Sequence, residues 1–279
     1  MQHIRQLQSS RNAETRDGWS CFASHRDRVT DLLLDSAAAA GGALCVWGAG
    51  NCNDLALSQL LHEFAQLDLV DIDEEAIRSG IRRQHVDSDK LTIHGGIDVT
   101  GVTHLLSEWV PEVPATGEQV DACISSALRC DPLASTGNYA VAASICLLSQ
   151  LIESIAQTLG EKHPRFFDLL TCVRREHLRR LIDLVAPGGS VVLITDVVSS
   201  LTVPELATSS PAELPVLIGR AISERNFFSG VNPFVIKRLL EEDELLATQV
   251  TDVRLSNPWV WDLGPRLYAV CALTAVRSC

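Results

Sequence analysis

The chain has 279 residues, and its 23 Lys and Arg against 35 Asp and Glu give a formal net charge of −12 at pH 7. Hydrophobic residues make up 46% of the chain and charged residues 21%, which is typical of a globular domain. The chain has no run of about 18 apolar residues, so no membrane span is predicted. Its excess of acidic residues disfavours nonspecific binding to a nucleic-acid backbone. We therefore expect neither a membrane nor a nucleic-acid partner.

The nine cysteines are scattered, without a C-x-x-C pair, and several lie inside apolar runs. That pattern is typical of small buried side chains in a reducing compartment, whereas a metal site would need ligands paired at short spacing. The first 25 residues are polar and lack the apolar segment of a signal peptide. We therefore expect a cytoplasmic protein without a metal.

The chain begins with what we predict to be an N-terminal helical extension over residues 1–42. Within it, a helix over roughly 25–40 is indicated by four apolar residues that share one face. These residues are Val29, Leu32, Leu33 and Ala37. Gly41 and Gly42 then end the helix.

Strands and helices are predicted to alternate from there to about residue 195. The predicted strands are 44–47, 67–71, 90–94, 120–125 and 190–195. The predicted helices are a short one after Asn53 or Asp54 and longer ones at about 74–84, 138–159 and 165–185. This alternation predicts a doubly wound, parallel α/β sheet in a single domain spanning residues 1–279.

The remaining chain departs from the alternation. Residues 199–249 contain several prolines among short helical pieces and form an insert. Two strands, 251–255 and 266–276, follow and are joined by a turn-rich segment, so the chain ends in a hairpin-like unit.

The most informative stretch runs from Leu44 to Asp73. A strand leads into Gly48-Ala49-Gly50, a helix follows, and Asp71 ends the next strand, 21 residues after Gly50. Glycines let a ligand approach the backbone closely, the helix N-terminus offers free N–H groups, and a strand-end carboxylate accepts hydrogen bonds from ribose hydroxyls. These features predict a nucleoside-binding site.

Taken with further motifs in the same order, this stretch resembles the class I S-adenosylmethionine-dependent methyltransferases. The motifs are Val46-Trp47-Gly48-Ala49-Gly50-Asn51, Leu69-Val70-Asp71-Ile72-Asp73, Gly95-Gly96-Ile97-Asp98, Val120-Asp121-Ala122-Cys123-Ile124-Ser125-Ser126 and Ala186-Pro187-Gly188-Gly189-Ser190-Val191-Val192. The resemblance implies a seven-stranded, mostly parallel Rossmann-like sheet whose last strand is antiparallel. It also implies S-adenosyl-L-methionine as cofactor.

Carried over to this chain, the family pattern assigns ten cofactor-binding residues. Gly48, Ala49, Gly50 and Asn51 would hold the methionine part, Asp71 would bind the ribose, and Ile72 would pack on the adenine ring. Asp98 with Ile97 would face the adenine amino group, and Ser125 and Ser126 would lie beside the sulfonium. Asp98 has an alternative role as a turn residue. The family's third glycine is replaced by Cys52.

No catalytic residue is assigned, because methyl transfer from a sulfonium depends mainly on positioning. The acceptor is expected to be a small molecule. Ligands of open parallel sheets bind beyond the carboxyl ends of the strands, so the sequence predicts a pocket at Ser125 and Asp196, covered by the 199–249 insert and the Trp259–Asp262 turn.

Two other functions stay open at this point. One is an NAD(P)-dependent oxidoreductase on a similar sheet, although its fingerprint wants a glycine at position 53, where this chain has Asn53. The other is a non-catalytic nucleoside-binding or interaction protein of the same fold. The sequence does not fix the oligomeric state, and a homodimer is one possibility.

Overall fold

The structure is a computed structural model that describes residues 2–37, 41–109, 113–133 and 138–279. The strands are β1 Ala43–Trp47, β2 Gln66–Asp71, β3 Leu91–Gly95, β4 Tyr139–Ile145, β5 Val185–Ser199, β6 Val250–Leu255, β7 Trp259–Asp262 and β8 Leu267–Arg277. The helices are α1 Gln2–Thr15, α2 Ala23–Asp35, α3 Leu57–Glu63, α4 Glu74–Arg83, α5 Thr103–Leu106, α6 Gly117–Arg129, α7 Leu148–Leu159, α8 Phe166–Asp183, α9 Leu214–Ser223 and α10 Pro233–Glu242, with a 3₁₀ helix at Pro204–Ala207.

The strands form one sheet in the order β3-β2-β1-β4-β5-β8-β6, and β7 also pairs with β8. The first five strands are parallel, and β8 runs antiparallel to β5. This confirms the predicted mostly parallel α/β sheet with an antiparallel last strand. The described sheet has eight strands, one more than predicted, because the segment predicted as a turn contains β7, whose Trp259 pairs with Val270.

Both faces of the sheet are covered, as a doubly wound fold requires. Along β1, Cys45 and Trp47 pack into the layer of α6, α7 and α8, while Leu44 and Val46 face the layer of α2 and α3. All four side chains are fully buried. A central strand buried on both faces is a nearly continuous apolar run.

The fourth strand is not where the sequence predicted it. Residues 120–125 lie within α6, and β4 is Tyr139–Ile145, which was predicted as the start of a long helix. The helix α6 begins with a capping box, in which the Thr116 hydroxyl oxygen accepts a hydrogen bond from the Gln119 N–H and the Gln119 Oε1 accepts one from the Thr116 N–H. The strand was missed because a short apolar run buried between β1 and β5 has no alternation to distinguish it from a buried helix.

The N-terminal segment forms the helices α1 and α2, which precede β1. Helix α2 ends at Asp35, and the last residues of the helix predicted over 25–40, residues 38–40, lie outside the described residues. Residues 199–249 fold into the 3₁₀ helix, α9 and α10. No helix in the described part of the chain has the length and apolar character needed to cross a membrane.

Candidate functional site

A cavity of about 780 Å³ lies at the carboxyl ends of β1, β2, β4 and β5. It is closed on one side by α1 and on the other by residues from the insert and from the β7–β8 hairpin. Seven of the ten predicted cofactor residues line it: Gly48, Gly50, Asn51, Asp71, Ile72, Ile97 and Asp98. The topology therefore brings together residues that are up to 50 positions apart in sequence.

The glycine turn after β1 has backbone dihedral angles that favour glycine. Gly48 and Gly50 have φ values of +78° and +45°, and Cys52 has a φ of +52°. The turn is held against α4 at Gly80, where a Cβ would lie 2.1 Å from the Asn51 carbonyl oxygen. Cys52 thus has the backbone conformation that favours glycine, but its side chain is buried in the α2 and α3 layer rather than in the cavity.

Asp71 at the end of β2 is bound to the turn it faces. Its Oδ2 accepts a 2.8 Å hydrogen bond from the Gly50 N–H, and its Oδ1 accepts one of 2.9 Å from the Asp73 N–H. Burial raises the pKa of Asp71 to about 6, although these two bonds oppose the shift. The carboxylate retains lone pairs on the cavity side that can accept hydroxyl donors.

Asp98 is engaged as a turn and cap residue. Its Oδ1 accepts hydrogen bonds from the Thr100 N–H at 2.9 Å and the Thr100 hydroxyl at 2.6 Å, and its Oδ2 accepts one from the Thr103 N–H at 2.9 Å. The geometry therefore shows the turn role that the sequence left open. Asp98 still lines the cavity, and its contact with an adenine amino group stays a prediction.

The other three predicted cofactor residues do not line the cavity. Ala49 is buried among the apolar side chains of the α2 and α3 layer. Ser125 and Ser126 lie on α6, and the Ser126 hydroxyl donates a 2.6 Å hydrogen bond to the Gly101 carbonyl oxygen. The reason for assigning both serines was their place at the end of the fourth strand, and that place belongs to Ile145, Cys146 and Leu147.

Helix α1 forms a wall of the cavity that the sequence did not predict. The Asn51 Nδ2 donates to the Asn12 carbonyl oxygen at 2.5 Å, and the Asn53 Nδ2 donates to the Thr15 carbonyl oxygen at 2.7 Å. The Asn12 Nδ2 in turn donates to Asp73 Oδ2 at 3.2 Å. Two asparagines of the glycine turn therefore attach the C-terminal end of α1 to the cofactor side of the sheet.

Two polar atoms on this wall are buried and lack a hydrogen-bond partner among the described residues. They are Asn51 Oδ1, an acceptor, and Arg11 Nη1, a donor. The other terminal nitrogen of Arg11 donates to Glu153 at 2.5 Å. Because a buried unpaired polar group costs about 1–3 kcal/mol, an acceptor and a donor left unpaired in one cavity indicate a place for a polar ligand.

The far end of the cavity is formed by β4 and β5. Ser149, in the first turn of α7, donates its hydroxyl hydrogen to Asp196 Oδ1 at 2.5 Å. Asp196 is 8% exposed and lines the cavity, and burial raises its pKa to about 6. The thiol of Cys146 also lies here, but burial raises its pKa well above its ordinary value, so it is not poised as a thiolate nucleophile.

Aromatic side chains surround this end. The ring of Trp261 lies 5.2 Å from Phe22 and 5.3 Å from Tyr268, centroid to centroid, and Phe228 lies 6.1 Å from Tyr268. All four line the cavity, and we call them the aromatic wall. The imidazole of His25 stacks behind Trp261 at 4.7 Å.

His25 is held in place by its neighbours. The Trp259 indole N–H donates to His25 Nδ1 at 3.0 Å, and His25 Nε2 faces Asp54 Oδ1 at 3.2 Å. His25 is fully buried and does not line the cavity. The contacts fix the back of the aromatic wall and leave the front open to a ligand.

The fold is similar to those of three methyltransferases of known structure. The 1,6-didemethyltoxoflavin-N1-methyltransferase of Burkholderia thailandensis, crystallised with 1,6-didemethyltoxoflavin and S-adenosylhomocysteine, is 13% identical with a TM-score of 0.52, over 99% of this chain and 88% of that chain. The N-methyltransferase NodS of Bradyrhizobium japonicum WM9, with S-adenosylhomocysteine, is 13% identical with a TM-score of 0.47, over 92% and 87%. A 16S rRNA (adenine(1408)-N(1))-methyltransferase of Catenulisporales acidiphilia is 16% identical with a TM-score of 0.41, over 89% and 91%.

The chain has the fold of the class I S-adenosylmethionine-dependent methyltransferases. At 13% identity the likeness to the toxoflavin enzyme shows the fold alone. No protein-family model matches the sequence, and a search of curated proteins finds no significant match. Because one fold hosts many functions, the function has to be argued from the site.

Proposed function

We propose that this protein transfers the methyl group of S-adenosyl-L-methionine to a small-molecule acceptor. The observation that carries the proposal is the continuous cavity that joins the Gly48–Asn51 turn and Asp71 to Asp196, which lies on β5, two strands from β1 and three from β2. One end has the groups that a nucleoside needs, and the other has a separate polar and aromatic wall. A cavity of this size is within the ordinary range for ligand sites.

The residues present fit the cofactor. Asp71 would accept hydrogen bonds from the ribose hydroxyls, and Ile72 and Ile97 would pack against the adenine ring. The unpaired Asn51 Oδ1 could accept from the ammonium of the methionine part, and the unpaired Arg11 Nη1 could donate to its carboxylate. With the adenine toward β3, the sulfur would lie toward β4, because β1 separates β2 from β4 in the sheet.

The cofactor supplies the activated methyl group, so the protein's task is orientation and exclusion of water. Arg225, Phe227, Phe228 and Ser229 of the 199–249 insert line the cavity, as do residues of the β7–β8 hairpin. We propose that the insert covers the acceptor, as the sequence predicted. In this proposal the acceptor binds between the insert and the carboxyl end of β5.

The charge of the cavity wall favours a small, non-anionic acceptor. Seven carboxylates line the cavity, against three guanidinium groups: Glu14, Asp54, Asp71, Asp98, Glu153, Glu161 and Asp196 against Arg11, Arg225 and Arg266. An excess of negative charge attracts the cationic cofactor. It repels the phosphates of a nucleic acid, whose binding needs a basic surface.

A thermal-shift panel tests the proposal against its rivals. S-adenosylhomocysteine at 100 times its Kd stabilises a protein by about 2.7 kcal/mol, which corresponds to a Tm rise of roughly 5–10 °C for a chain of this size. We expect S-adenosylmethionine and S-adenosylhomocysteine to raise the Tm, and NAD and NADP to leave it unchanged. Stabilisation by the dinucleotides alone would identify the oxidoreductase alternative.

Two variants make the test specific to the site. Asp71→Ala is expected to abolish most of the shift, because it removes the ribose acceptor. Asp87→Ala removes an exposed carboxylate from the loop after α4 and is the control for the change in net charge. Transfer of a labelled methyl group to a product then separates an enzyme from a non-catalytic protein that only binds the nucleoside.

A further inference from the structure

We infer that the acceptor atom is a nitrogen carrying at least one hydrogen, in an amine or nitrogen heterocycle with an apolar or aromatic body, and that Asp196 accepts the nitrogen's proton while the body packs on the aromatic wall. This inference rests on the proposed function, because it concerns the end of the cavity to which the sulfur is directed. It specifies the chemistry of the acceptor, which the fold leaves open.

The sheet register places the two parts of this acceptor site on one face. Asp196 pairs with Val270, and after a bulge Ser199 pairs with Tyr268. Tyr268 also pairs with Trp261. Because directly paired residues of antiparallel strands point to the same face, the carboxylate and the two rings face the same side, beyond the end of β4.

Asp196 is one strand beyond the position expected for the sulfur. The Cys146 N–H at the end of β4 donates to the Ile194 carbonyl oxygen at 2.8 Å, which fixes the end of β4 next to the residues before Asp196. Neighbouring strands are about 4.8 Å apart. An acceptor atom on the open side of Asp196 is therefore near a methyl group held over β1 and β4.

Asp196 is better placed to contact an acceptor than the other ionisable groups around it. Ser149 donates to its Oδ1. Glu153, which raises the pKa of Asp196, is paired with Arg11, and His25, which lowers it, is stacked behind Trp261. Arg225 and Arg266 line the cavity from exposed positions, where solvent screens them.

The electron and proton balance of nitrogen methylation suits these groups. The nitrogen lone pair forms the new N–C bond while the C–S bond breaks and its electron pair returns to sulfur, which leaves neutral S-adenosylhomocysteine. Positive charge moves to the nitrogen, and its proton passes to the Asp196 carboxylate. Aromatic faces attract a cation, whereas a carboxylate acceptor would be repelled by Asp196.

A matched pair of probes tests the inference without knowledge of the natural acceptor. 2-Phenylethylamine and 3-phenylpropionate share a phenyl ring and a two-carbon chain but end in an ammonium and a carboxylate. Each is titrated calorimetrically into the protein saturated with S-adenosylhomocysteine. We expect the amine to bind at least tenfold more tightly than the acid.

Two variants assign that preference to Asp196. Asp196→Asn keeps the shape and the acceptor for Ser149 and is expected to weaken amine binding at least tenfold and to erase the preference. Asp87→Asn removes an exposed carboxylate outside the cavity and is expected to change amine binding less than threefold. Both variants are first checked for unchanged affinity for S-adenosylhomocysteine.

The outcomes separate the two proposals. Failure of the wild-type protein to bind S-adenosylhomocysteine contradicts the proposed function. If S-adenosylhomocysteine binds, the nitrogen inference is overturned by equal or tighter binding of 3-phenylpropionate, by no binding of either probe, or by an Asp196→Asn variant that keeps the preference.

Discussion

The Ser149 hydroxyl donates a 2.5 Å hydrogen bond to Oδ1 of Asp196, and this bond joins the first turn of α7 to the carboxyl half of β5. The two residues are 47 positions apart in sequence. The bond orients a buried carboxylate toward the cavity at the point where the proposed acceptor meets the methyl donor. It also stabilises the ionised form of that carboxylate.

Replacing Ser149 is expected to change the pH dependence of methyl transfer. Burial raises the pKa of Asp196 to about 6, with Glu153 acting in the same direction, while Ser149 and His25 lower it. Ser149→Ala removes one of the lowering contacts, so the pKa rises further. The acidic limb of the rate profile, where Asp196 becomes protonated, should move up by about one pH unit, equivalent to about 1.4 kcal/mol. A profile that does not move would show that Asp196 takes no part in proton transfer.

Asp196→Asn is expected to stabilise the folded protein at alkaline pH. The folded-state pKa is above the usual 3.8, so folding favours the protonated acid. The protonated acid therefore contributes its full stabilisation below pH 4, and this stabilisation is lost as the pH rises through 6. At pH 8 the buried charge lowers the free energy of unfolding by about 1–3 kcal/mol. Urea unfolding should show a more stable variant at pH 8 and no difference at pH 4. A variant less stable at pH 8 would mean that the carboxylate is held for structure.

Asp71 should make binding of S-adenosylhomocysteine depend on pH. Burial raises its pKa to about 6, and the ribose hydroxyls require the ionised acceptor. Affinity should therefore fall as the pH drops from 7.5 to 5. Asp71→Ala should weaken binding at pH 7.5 by ~1.5–3 kcal/mol, the value of hydrogen bonds to a charged group, and should remove this dependence. Calorimetry at several pH values measures both effects, and a pH dependence retained in the variant would assign it to another group.

Cys52→Gly is expected to leave stability within about 1 kcal/mol of wild type. The change removes the strain of a φ of +52° in a residue with a Cβ, which raises the free energy of unfolding by about 1 kcal/mol. It also removes a buried side chain and adds backbone entropy, both of which lower the free energy of unfolding. Cys45→Gly is the matched control, because Cys45 is equally buried in an ordinary strand and should lose about 2–4 kcal/mol. Equal losses in the two variants would show that the positive φ carries no strain.

The parts of the site that could be predicted from sequence are those that local signals specify. Gly48, Gly50 and Asp71 lie in one strand–turn–helix–strand unit, and each has a backbone or charge requirement visible in a short window. Asp196 was also predicted at the pocket, because it follows a predicted strand rich in Val and Ile. These residues line one cavity, as their places at strand ends predicted.

The remaining parts depend on tertiary contacts that leave no local pattern. The strand β4 is apolar on both faces because β1 and β5 flank it, so its sequence has no period of two. Misplacing it moved the predicted sulfonium site to Ser125 and Ser126 and hid Cys146 and Ser149. The capping box at Thr116 and Gln119 was the available signal that residues 120–125 belong to a helix.

The role of α1 was hidden for a similar reason. Its contacts with the glycine turn run through the polar residues Asn12 and Thr15, which give no apolar periodicity. A polar N-terminal segment resembles a frayed end in sequence. Only the folded structure shows that the Asn12 and Thr15 carbonyl groups accept hydrogen bonds from the side chains of Asn51 and Asn53.

A crystal structure with S-adenosylhomocysteine would show whether this cavity is the cofactor site. We expect the ribose hydroxyls within hydrogen-bond distance of Asp71, the adenine beside Ile72 and Ile97, and the sulfur directed toward Asp196 and the aromatic wall. A ligand bound outside this cavity, or a sulfur directed away from the ends of β4 and β5, would contradict it.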